Sequence, residues 1–311
     1  MKTRQYKCIA NFIEGISIQN MFATKNVLIC CLLMSCSATL SAFELSAHAG
    51  DSESAPPNSI EAYLASTKKG ADYVEIDVWL TKSGKLICQH DTGTTRKFTS
   101  INKELADYDD ADLKRANLAS GKYAHMGIVK IPTLEEALFA LPSRTKVEID
   151  CKAADETYFE KIKQTFDKIG FDERRVVFNT GRAQTVKKFF PQASAQCDLL
   201  LLQEGETLFR VNGWFMSKDR IPPHIKKEPL DIGKFIAEMR QKKCDVIAIW
   251  TAHIDVASPQ FKSAANALAE AGFKTNAWTI NDVQTAKKLP PSITIITTDN
   301  LIEMRKAFPK K

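Results

Sequence analysis

Residues 73–91 read YVEIDVWLTKSGKLICQHD, and this stretch decides how the rest of the chain is interpreted. Its first half is a strand pattern in which residues two apart share a face, so Glu75 and Asp77 point the same way. The serine-glycine pair predicts a turn, and the residues after it predict a return strand that brings His90 and Asp91 back to the same end. Two acids and a histidine gathered in this way suit a divalent cation that serves phosphate chemistry.

Eight short apolar strands, mostly separated by helix patterns, are predicted outside the return arm of this hairpin. They begin near residues 45, 73, 146, 175, 198, 245, 275 and 293. This alternation predicts an α/β fold, and eight repeats favour a (β/α)8 TIM barrel of the usual ~250 residues over a doubly wound open sheet. The hairpin follows strand 2, and the polar segment 92–130 predicts an insertion. Active residues should then lie at the carboxyl ends of the strands.

Local signals refine this outline. Residues 58–61 and 133–136 both fit a capping box, which predicts that a helix starts at each. A second long loop, 203–229, contains Trp214-Phe215-Met216. This aromatic tripeptide fits a buried loop anchor at least as well as a lid or a lipid contact.

Composition and charge limit the classes of partner. The chain has 311 residues, 44% hydrophobic and 26% charged, which is typical of a globular protein. Its net charge is +6, and the first 42 residues contribute +3 of it through four basic residues and one acidic residue. The small remainder comes without a dense basic tract, so we expect no nucleic-acid partner. An anionic small molecule remains compatible, and the oligomeric state is left open.

The N-terminal segment resembles an export signal. Lys25 precedes an apolar run at 27–34, which is too short to span a bilayer comfortably and is followed by small residues. The basic stretch before this run is longer than usual, so Met21 competes with Met1 as the true start. We therefore predict a signal peptide or lipoprotein leader at 1–42.

The end of the apolar run resembles a bacterial lipobox. Leu33-Met34-Ser35-Cys36 would make Cys36 the lipidated first residue of the mature protein, whereas simple cleavage would fall near Ala38 or Ala42. The barrel domain would then occupy 43–311. We expect an exported protein, either periplasmic or anchored to the membrane through Cys36.

The cysteines give no metal pattern. Four lie in the predicted leader, and no zinc spacing joins the other four, which are Cys88, Cys151, Cys197 and Cys244. Export permits a disulfide, and Cys88 with Cys151 is one conceivable pair. Buried free thiols are the favoured interpretation.

Polar and aromatic residues stand at the predicted strand ends. They are His48, Glu75, Asp77, His90, Asp150, Lys152, Asn179, Trp250, Trp278 and Asp299. A lone strand-end acid or histidine is more often a cap or a surface group, so it is the joint placement that indicates a site. Glu75, Asp77 and Asp150 could supply oxygens to one Ca²⁺ or Mg²⁺, which would relieve the repulsion between buried like charges.

From His48 to Asp299 the sequence resembles the glycerophosphodiester phosphodiesterase family. The similar blocks are His48-Ala49-Gly50 with Pro57-Asn58-Ser59, Glu75-Ile76-Asp77, His90-Asp91 with Arg96, Ile131-Pro132-Thr133-Leu134-Glu135-Glu136, Ile149-Asp150-Cys151-Lys152, Ala277-Trp278-Thr279-Ile280-Asn281 and Ile296-Thr297-Thr298-Asp299. Each block alone is weak evidence. Their order along the chain makes the resemblance specific.

The resemblance implies roles for individual residues. One divalent cation, Ca²⁺ or Mg²⁺, would be bound by Glu75, Asp77 and Asp150. His48 and His90 would act as the acid/base pair. The substrate would be contacted by Lys152, which holds phosphate, and by Trp278, Asn58 and Arg96.

The implied activity is that of a metal-dependent phosphoric diester hydrolase. It would cleave small glycerophosphodiesters to glycerol phosphate and an alcohol, in some members through a cyclic phosphate. Two alternatives stay open. One is a related phosphodiesterase acting on lysophospholipids or a cell-wall polymer, and the other is a catalytically weak barrel that binds phosphodiesters.

Three positions depart from the family pattern. Ala49 stands where the family has an arginine, which removes a bidentate phosphate partner that Arg96 or Arg182 would have to replace. Asp51 adds a negative charge beside it. Asp150 replaces a glutamate that is one methylene longer, and Glu148, on the same strand face, is the alternative ligand.

Overall fold

The computed structural model describes residues 43–310 except positions 100, 214, 216, 218 and 219, and it leaves the side chain of residue 94 undescribed. The chain divides after Ser41, and the account below concerns the second unit. The predicted leader at 1–42, with its lipobox, lies outside the described residues and stays a prediction, as do Trp214 and Met216. None of the helices within the described part is both long and apolar enough to cross a membrane.

Eight parallel strands close into a barrel, which confirms the predicted fold. The eight are β1 (Glu44–Ala47), β2 (Tyr73–Leu80), β4 (Lys146–Cys151), β5 (Val176–Asn179), β6 (Ser194–Glu204), β9 (Val246–Trp250), β10 (Lys274–Trp278) and β11 (Ile295–Thr298). They pair in the order β5-β4-β2-β1-β11-β10-β9-β6, and β6 pairs with β5 to close the ring. Three further strands lie outside the ring: β3 (Leu86–Cys88), β7 (Thr207–Val211) and β8 (Lys227–Pro229).

Ten α-helices within the described residues connect and cover the strands. They are α1 (Ile60–Lys68), α2 (Thr92–Thr99), α3 (Asp110–Arg115), α4 (Leu134–Ala140), α5 (Glu156–Ile169), α6 (Ala183–Phe189), α7 (Ile232–Gln241), α8 (Pro259–Glu270), α9 (Val283–Ala286) and α10 (Leu301–Ala307). Short 3₁₀ turns occupy Leu105–Asp107, Gly121–Met126 and Glu173–Arg175.

Only one of the two predicted capping boxes is present. Thr133 and Glu136 bond reciprocally at the start of α4, as predicted. At α1 the prediction of a box is wrong. Ser59 is the N-cap, and its side chain accepts a hydrogen bond from the backbone N–H of Ala62. A capping box would need a glutamate or glutamine in place of Ala62, to bond back to the N–H of Ser59. The side chain of Asn58 is therefore available for another role.

The hairpin and the insertion both form as predicted. β3 runs antiparallel to β2, with Val78 opposite Cys88. The insertion 92–130 contains α2, α3 and two 3₁₀ turns, and it buries its own apolar cluster, which includes Leu105 and Tyr108, against Ile87 of the hairpin. The site below is therefore flanked by an element with a core of its own.

The segment 203–229 is more ordered than the predicted loop. β6 continues to Glu204, and β7 and β8 add antiparallel strands to it. Phe215 is buried, its ring stacks on His253 with centroids 4.7 Å apart, and it meets Trp250 edge-on. For Phe215 this supports the anchor interpretation of the tripeptide.

The start of β6 differs from the prediction by four residues. The strand begins at Ser194 and not near 198. Its first residues are small or polar and give no apolar signal, yet Ala195, Gln196 and Cys197 are buried in the barrel wall. Burial there comes from strand neighbours on both sides, which local hydrophobicity does not reveal.

The conceivable disulfide between Cys88 and Cys151 is excluded by register. Both residues pair with Val78, from opposite sides of β2. Two strand spacings put their Cα atoms about 10 Å apart, beyond the reach of a disulfide. The four cysteines of the described region are free, as favoured from the sequence.

An ion-pair cluster attaches the β6–β8 excursion to the barrel. Arg210 of β7 donates to Glu238 of α7 at 2.7 Å, and Lys242 donates to the same carboxylate at 2.7 Å. The hydrogen bonds from Arg210 and Lys242 lower the pKa of Glu238 to about 2. Because the folded pKa lies below the ordinary value of 4.5, the stabilisation is present above about pH 4.5 and is lost as the pH falls toward 2.

Glu238→Gln should therefore destabilise the protein in a pH-dependent way. We expect a loss of about 1 kcal/mol at pH 7, a figure that allows for solvent screening of a partly exposed group. The loss should shrink at pH 3, and urea unfolding at both pH values measures it. The matched change at exposed Glu53, Glu53→Gln, should have little effect. An equal loss at pH 3 and pH 7 would contradict the electrostatic explanation.

Candidate active site

A cavity of about 260 Å³ opens at the carboxyl ends of the barrel strands. Seven of the ten residues predicted at the strand ends line it: His48, Glu75, His90, Asp150, Lys152, Asn179 and Trp278. The other cavity residues include Glu148, Gln196 and Asp198. Most of the predicted constellation, from segments far apart in sequence, therefore meets in one place.

Three carboxylates converge on one side of this cavity. Glu75, Asp77 and Asp150 each offer an oxygen, and the three oxygens lie within 4.8 Å of one another. β2 and β4 are parallel neighbours in a register that pairs Asp77 with Asp150. Three oxygen donors so close together fit a hard divalent cation such as Ca²⁺ or Mg²⁺.

Glu148, the alternative ligand, serves a different purpose. It pairs in register with Glu75, and its carboxylate accepts from Ser46 Oγ at 2.9 Å and from the amide of Gln196. Gln196 in turn accepts from Asn276, and Asn276 accepts from Thr297 at 3.0 Å. These buried side chains form a hydrogen-bonded belt across the barrel, and the belt makes the floor of the cavity. Because Glu148 belongs to this belt, Asp150 is the β4 carboxylate that joins Glu75 and Asp77 in the cluster.

Specific donors orient the carboxylates. The backbone N–H of Ala49 donates to Glu75 Oε2 at 2.6 Å. Lys152 Nζ lies 2.7 Å from Asp77 Oδ1 and 2.7 Å from Asp150 Oδ2. One lysine faces three acids, so the cluster carries excess negative charge when all three are ionised.

The acids respond differently to this crowding. Burial and the charge of Asp77 raise the pKa of Glu75 well above its usual range. Burial also raises the pKa of Asp150. For Asp77, burial acts in the raising direction, but Lys152 and His90 outweigh it and hold the pKa below its ordinary value. A bound divalent cation would favour the ionised form of all three.

Asn58 is committed to Asp77. Its Nδ2 donates to Asp77 Oδ2 at 2.6 Å, while its Oδ1 accepts from the backbone N–H of Asp77 at 3.1 Å and from Tyr63 at 2.9 Å. The loop that delivers it needs Gly50, whose φ is +81° and where a Cβ would lie 2.8 Å from the backbone of Ala62. Asn58 is thus fixed beneath the cavity.

Both histidines are oriented by a carboxylate. His48 Nδ1 lies 2.8 Å from Asp299 Oδ1, and His90 Nδ1 lies 2.6 Å from Asp91 Oδ2. Asn281 donates to the other oxygen of Asp299 at 2.7 Å. With Nδ1 occupied, Nε2 of each ring is left for proton transfer.

The pKa of His48 reflects this environment. Burial lowers it, but the hydrogen bond to Asp299 and the charge of Glu75 outweigh burial and raise the pKa to about 9. The pKa of Asp299 moves the other way: burial acts in the raising direction, and the bond to His48 holds it below its usual range. The pair therefore favours a protonated imidazole beside an ionised acid.

The sequence profile of the glycerophosphoryl diester phosphodiesterase family matches residues 48–303. The chain belongs to this family. The match covers every barrel strand except β1, together with both histidines and all three clustered carboxylates.

Curated relatives agree with this membership. The chain is 31% identical over 152 residues to a glycerophosphodiester phosphodiesterase of Bacillus altitudinis, covering 47% of this chain and 62% of that protein. It is 30% identical over 164 residues to one from Caldanaerobacter subterraneus, covering 50% of this chain and 67% of that protein. The matched part thus spans about two thirds of these relatives.

Solved structures of the family share the barrel. A phosphodiesterase of Oleispira antarctica, in complex with the product sn-glycerol-3-phosphate, aligns with a TM-score of 0.66 at 20% identity over 86% of this chain and 97% of that one. A glycerophosphodiester phosphodiesterase of Thermotoga maritima aligns with a TM-score of 0.61 at 16% identity over 85% of this chain and 97% of that one. At this identity the likeness establishes the fold.

The position of the missing family arginine is buried. Ala49 is 8% exposed with φ at +51°. Neither proposed substitute belongs to the cavity lining: Arg96 faces Glu104 at 3.9 Å, and Arg182 is an exposed residue at the start of α6. Asp51, the other departure, forms an ion pair with Lys69, which balances its added charge.

Several cavity residues were missed from the sequence, and Asp198 is the charged one among them. Asp198 lies on β6 two residues after Gln196, so both face the barrel interior. The available signal was the alternation of Gln196, Asp198 and Leu200 with apolar neighbours. This alternation is apparent only when β6 is taken to begin at Ser194.

Asp150→Asn should weaken binding of a divalent cation. We expect the protein to bind one Ca²⁺ or Mg²⁺, and loss of one of three charged ligands should lower the affinity at least tenfold in calorimetric titration. Glu160→Gln removes an exposed carboxylate from α5 and should leave the affinity unchanged. Equal affinities for Asp150→Asn and the parent would place the cation elsewhere.

Proposed function

We propose that this protein hydrolyses glycerophosphodiesters to glycerol phosphate and an alcohol, using one divalent cation and two histidines. The observation that carries the proposal is the meeting, in one cavity, of the carboxylate cluster Glu75, Asp77 and Asp150 with two carboxylate-bound imidazoles. Family membership supports the reaction class.

Each part of the site has a chemical task. A cation on the carboxylate cluster would supply charge stabilisation for the phosphoryl oxygens. Lys152, held between Asp77 and Asp150, adds a positive charge at the same place. His48 and His90 share the proton transfers. In the first step one Nε2 accepts the proton of the attacking glycerol hydroxyl while the other donates to the oxygen of the leaving alcohol, and in the second step water opens the resulting cyclic phosphate to glycerol phosphate with the two roles reversed.

The dimensions of the cavity favour a small substrate. A volume of about 260 Å³ is near the lower end for ligand pockets and suits a compact diester. The Oleispira antarctica neighbour was solved with sn-glycerol-3-phosphate, the product expected here. Trp278 lines the cavity, where its indole can pack against the glycerol or the alcohol.

The described residues of 203–229 do not favour the lysophospholipid or polymer alternative. That alternative calls for exposed apolar residues on 203–229, and the described ones, including Phe215 and Ile225, pack against Trp250 and its neighbours. The large exposed apolar residues of the described region lie elsewhere, at Ile128, Phe139 and Ile302. We also propose that a leader within residues 1–42 directs export. The exported protein is then either released freely or attached to the membrane through Cys36.

Hydrolysis of glycerophosphocholine tests the proposal. We expect glycerol phosphate to appear with Ca²⁺ or Mg²⁺ and to disappear with chelator. His48→Ala and His90→Ala should each lower the rate at least a hundredfold, because each removes a proton-transfer group. The matched control is His125→Ala, at an exposed histidine. Hydrolysis that does not depend on the metal would contradict the proposal, and so would His48→Ala and His90→Ala variants as active as the parent.

Ala49→Arg separates a working enzyme from a weak binding barrel. A gain of tenfold or more in kcat/KM on glycerophosphocholine would identify a degenerate site that regains its bidentate phosphate partner. We expect a loss, because Ala49 is buried and its backbone holds Glu75. Ala49→Ser, which adds one small polar group, controls for changes at this buried position.

A further inference from the structure

Another cleft lies at the end of the barrel opposite to the active site. It has a volume of about 740 Å³ and is found where strands begin: Glu44 and Lys146 are the first residues of β1 and β4, and Asp72 directly precedes β2. The rest of its wall comes mainly from the end of α1 and the loop after α4. Because the barrel strands are parallel, this end is remote from the histidines, and its charges take no part in the proposed catalysis.

The cleft carries more positive than negative charge. Four basic and two acidic residues line it, namely Lys68, Arg144, Lys146, Lys310, Glu44 and Asp72. Both acids are already compensated. Lys146 forms an ion pair with Glu44. Asp72 is held by Arg305 and by Lys310, whose Nζ lies 3.0 Å from Asp72 Oδ1.

Lys68 and Arg144 are the cations that remain. Both side chains are exposed, and neither forms an ion pair with another residue of the described barrel. They stand on different elements, α1 and the loop after α4, at the rim of one cleft. Unpaired like charges on one rim attract an anionic partner from outside the molecule.

An exposed aromatic residue lies at the same end of the barrel. Phe139 is 82% exposed, the largest fraction among the large apolar residues of the described region. It stands in the last turn of α4, three residues before Pro142 of the cleft wall. Aromatic rings accompanied by Lys and Arg are typical of surfaces that enter the headgroup layer of a membrane. A free anion would make no use of the ring, so the combination favours a lipid surface.

The predicted leader would join the barrel at this end. The described chain starts at Phe43, and the next residue, Glu44, lines the cleft. Cys36, the proposed attachment point, precedes Phe43 by seven residues. A chain of that length reaches at most about 25 Å when fully extended. An anchor at Cys36 would therefore keep this end of the barrel close to the headgroups.

We propose that the amino-terminal end of the barrel docks on an anionic membrane surface through Lys68, Arg144 and Phe139. The two cations contact lipid phosphates, and the ring enters the headgroup layer. The active-site cavity then faces away from the membrane and stays open to water-soluble diesters. This inference draws on the attachment proposed above but not on the proposed reaction.

Flotation with lipid vesicles tests the proposal. The full chain with Cys36→Ser, which removes the lipidation site, is mixed with vesicles of phosphatidylcholine alone or with added phosphatidylglycerol. Lys68→Gln combined with Arg144→Gln should lower the affinity for the anionic vesicles about tenfold or more, because each cation near an anionic surface strengthens binding several-fold. Phe139→Ser should weaken binding to the same vesicles, because the ring no longer enters the headgroup layer.

A matched control removes the same charge from the other end of the barrel. Lys226 lies in the groove beside β6, and Lys262 lies in the first turn of α8; both are exposed. Lys226→Gln combined with Lys262→Gln should bind the anionic vesicles as the parent does. Residues 1–42 are the same in all of these proteins, so their own attraction for lipid cancels in the comparison.

The other outcomes overturn the inference. An unchanged affinity for Lys68→Gln with Arg144→Gln, or an equal loss in the control, would contradict docking by this end. Displacement from vesicles by inorganic phosphate at constant ionic strength would identify a pocket for a free anion. A dimer in solution that dissociates when Lys68 and Arg144 are replaced would assign this end to a second copy of the chain. Vesicle binding is measured without turnover, so failure here leaves the proposed reaction standing, and failure of hydrolysis leaves this inference standing.

Discussion

Three carboxylates share one end of the barrel with a single lysine, and the rest of the site depends on this imbalance of charge. Glu75, Asp77 and Asp150 are brought together by the parallel register of β2 and β4, not by nearness in sequence. Like charges in a partly buried site are tolerated when a cation or strong donors compensate them. Lys152 supplies one charge, and a divalent cation would supply the rest.

The backbone after β1 is shaped by the same requirement. Ala49 and Asn58 both have positive φ, a conformation uncommon for residues other than glycine. Ala49 presents its N–H to Glu75, and Asn58 presents its amide to Asp77. The two residues with uncommon positive φ are thus the ones that orient two of the acids, and uncommon backbone conformations of this kind cluster at functional sites. The buried hydrogen-bonded belt lies below them as the floor of the cavity, and the residues proposed for the chemistry lie at the rim.

The sequence predicted the barrel because strand and helix patterns alternate along nearly the whole chain. It also predicted the clustered acids and both histidines, since residues two apart share a strand face and strand ends meet at one rim. It did not predict the start of β6, where small and polar residues are buried by neighbouring strands. Asp198 was missed for that reason. The β7–β8 strands were missed because 203–229 was interpreted as one loop, although β7 pairs with β6 across a tight turn that places Thr207 opposite Glu204, and β8 pairs with β7.

Anomalous scattering from crystals grown with Mn²⁺ tests the central claim most directly, because Mn²⁺ takes the oxygen ligands that suit Ca²⁺ and Mg²⁺. The account predicts one strong peak in the cavity, with oxygens of Glu75, Asp77 and Asp150 within about 2.0–2.6 Å. A cavity without a peak at saturating Mn²⁺, or a peak bound by other residues, would contradict the account.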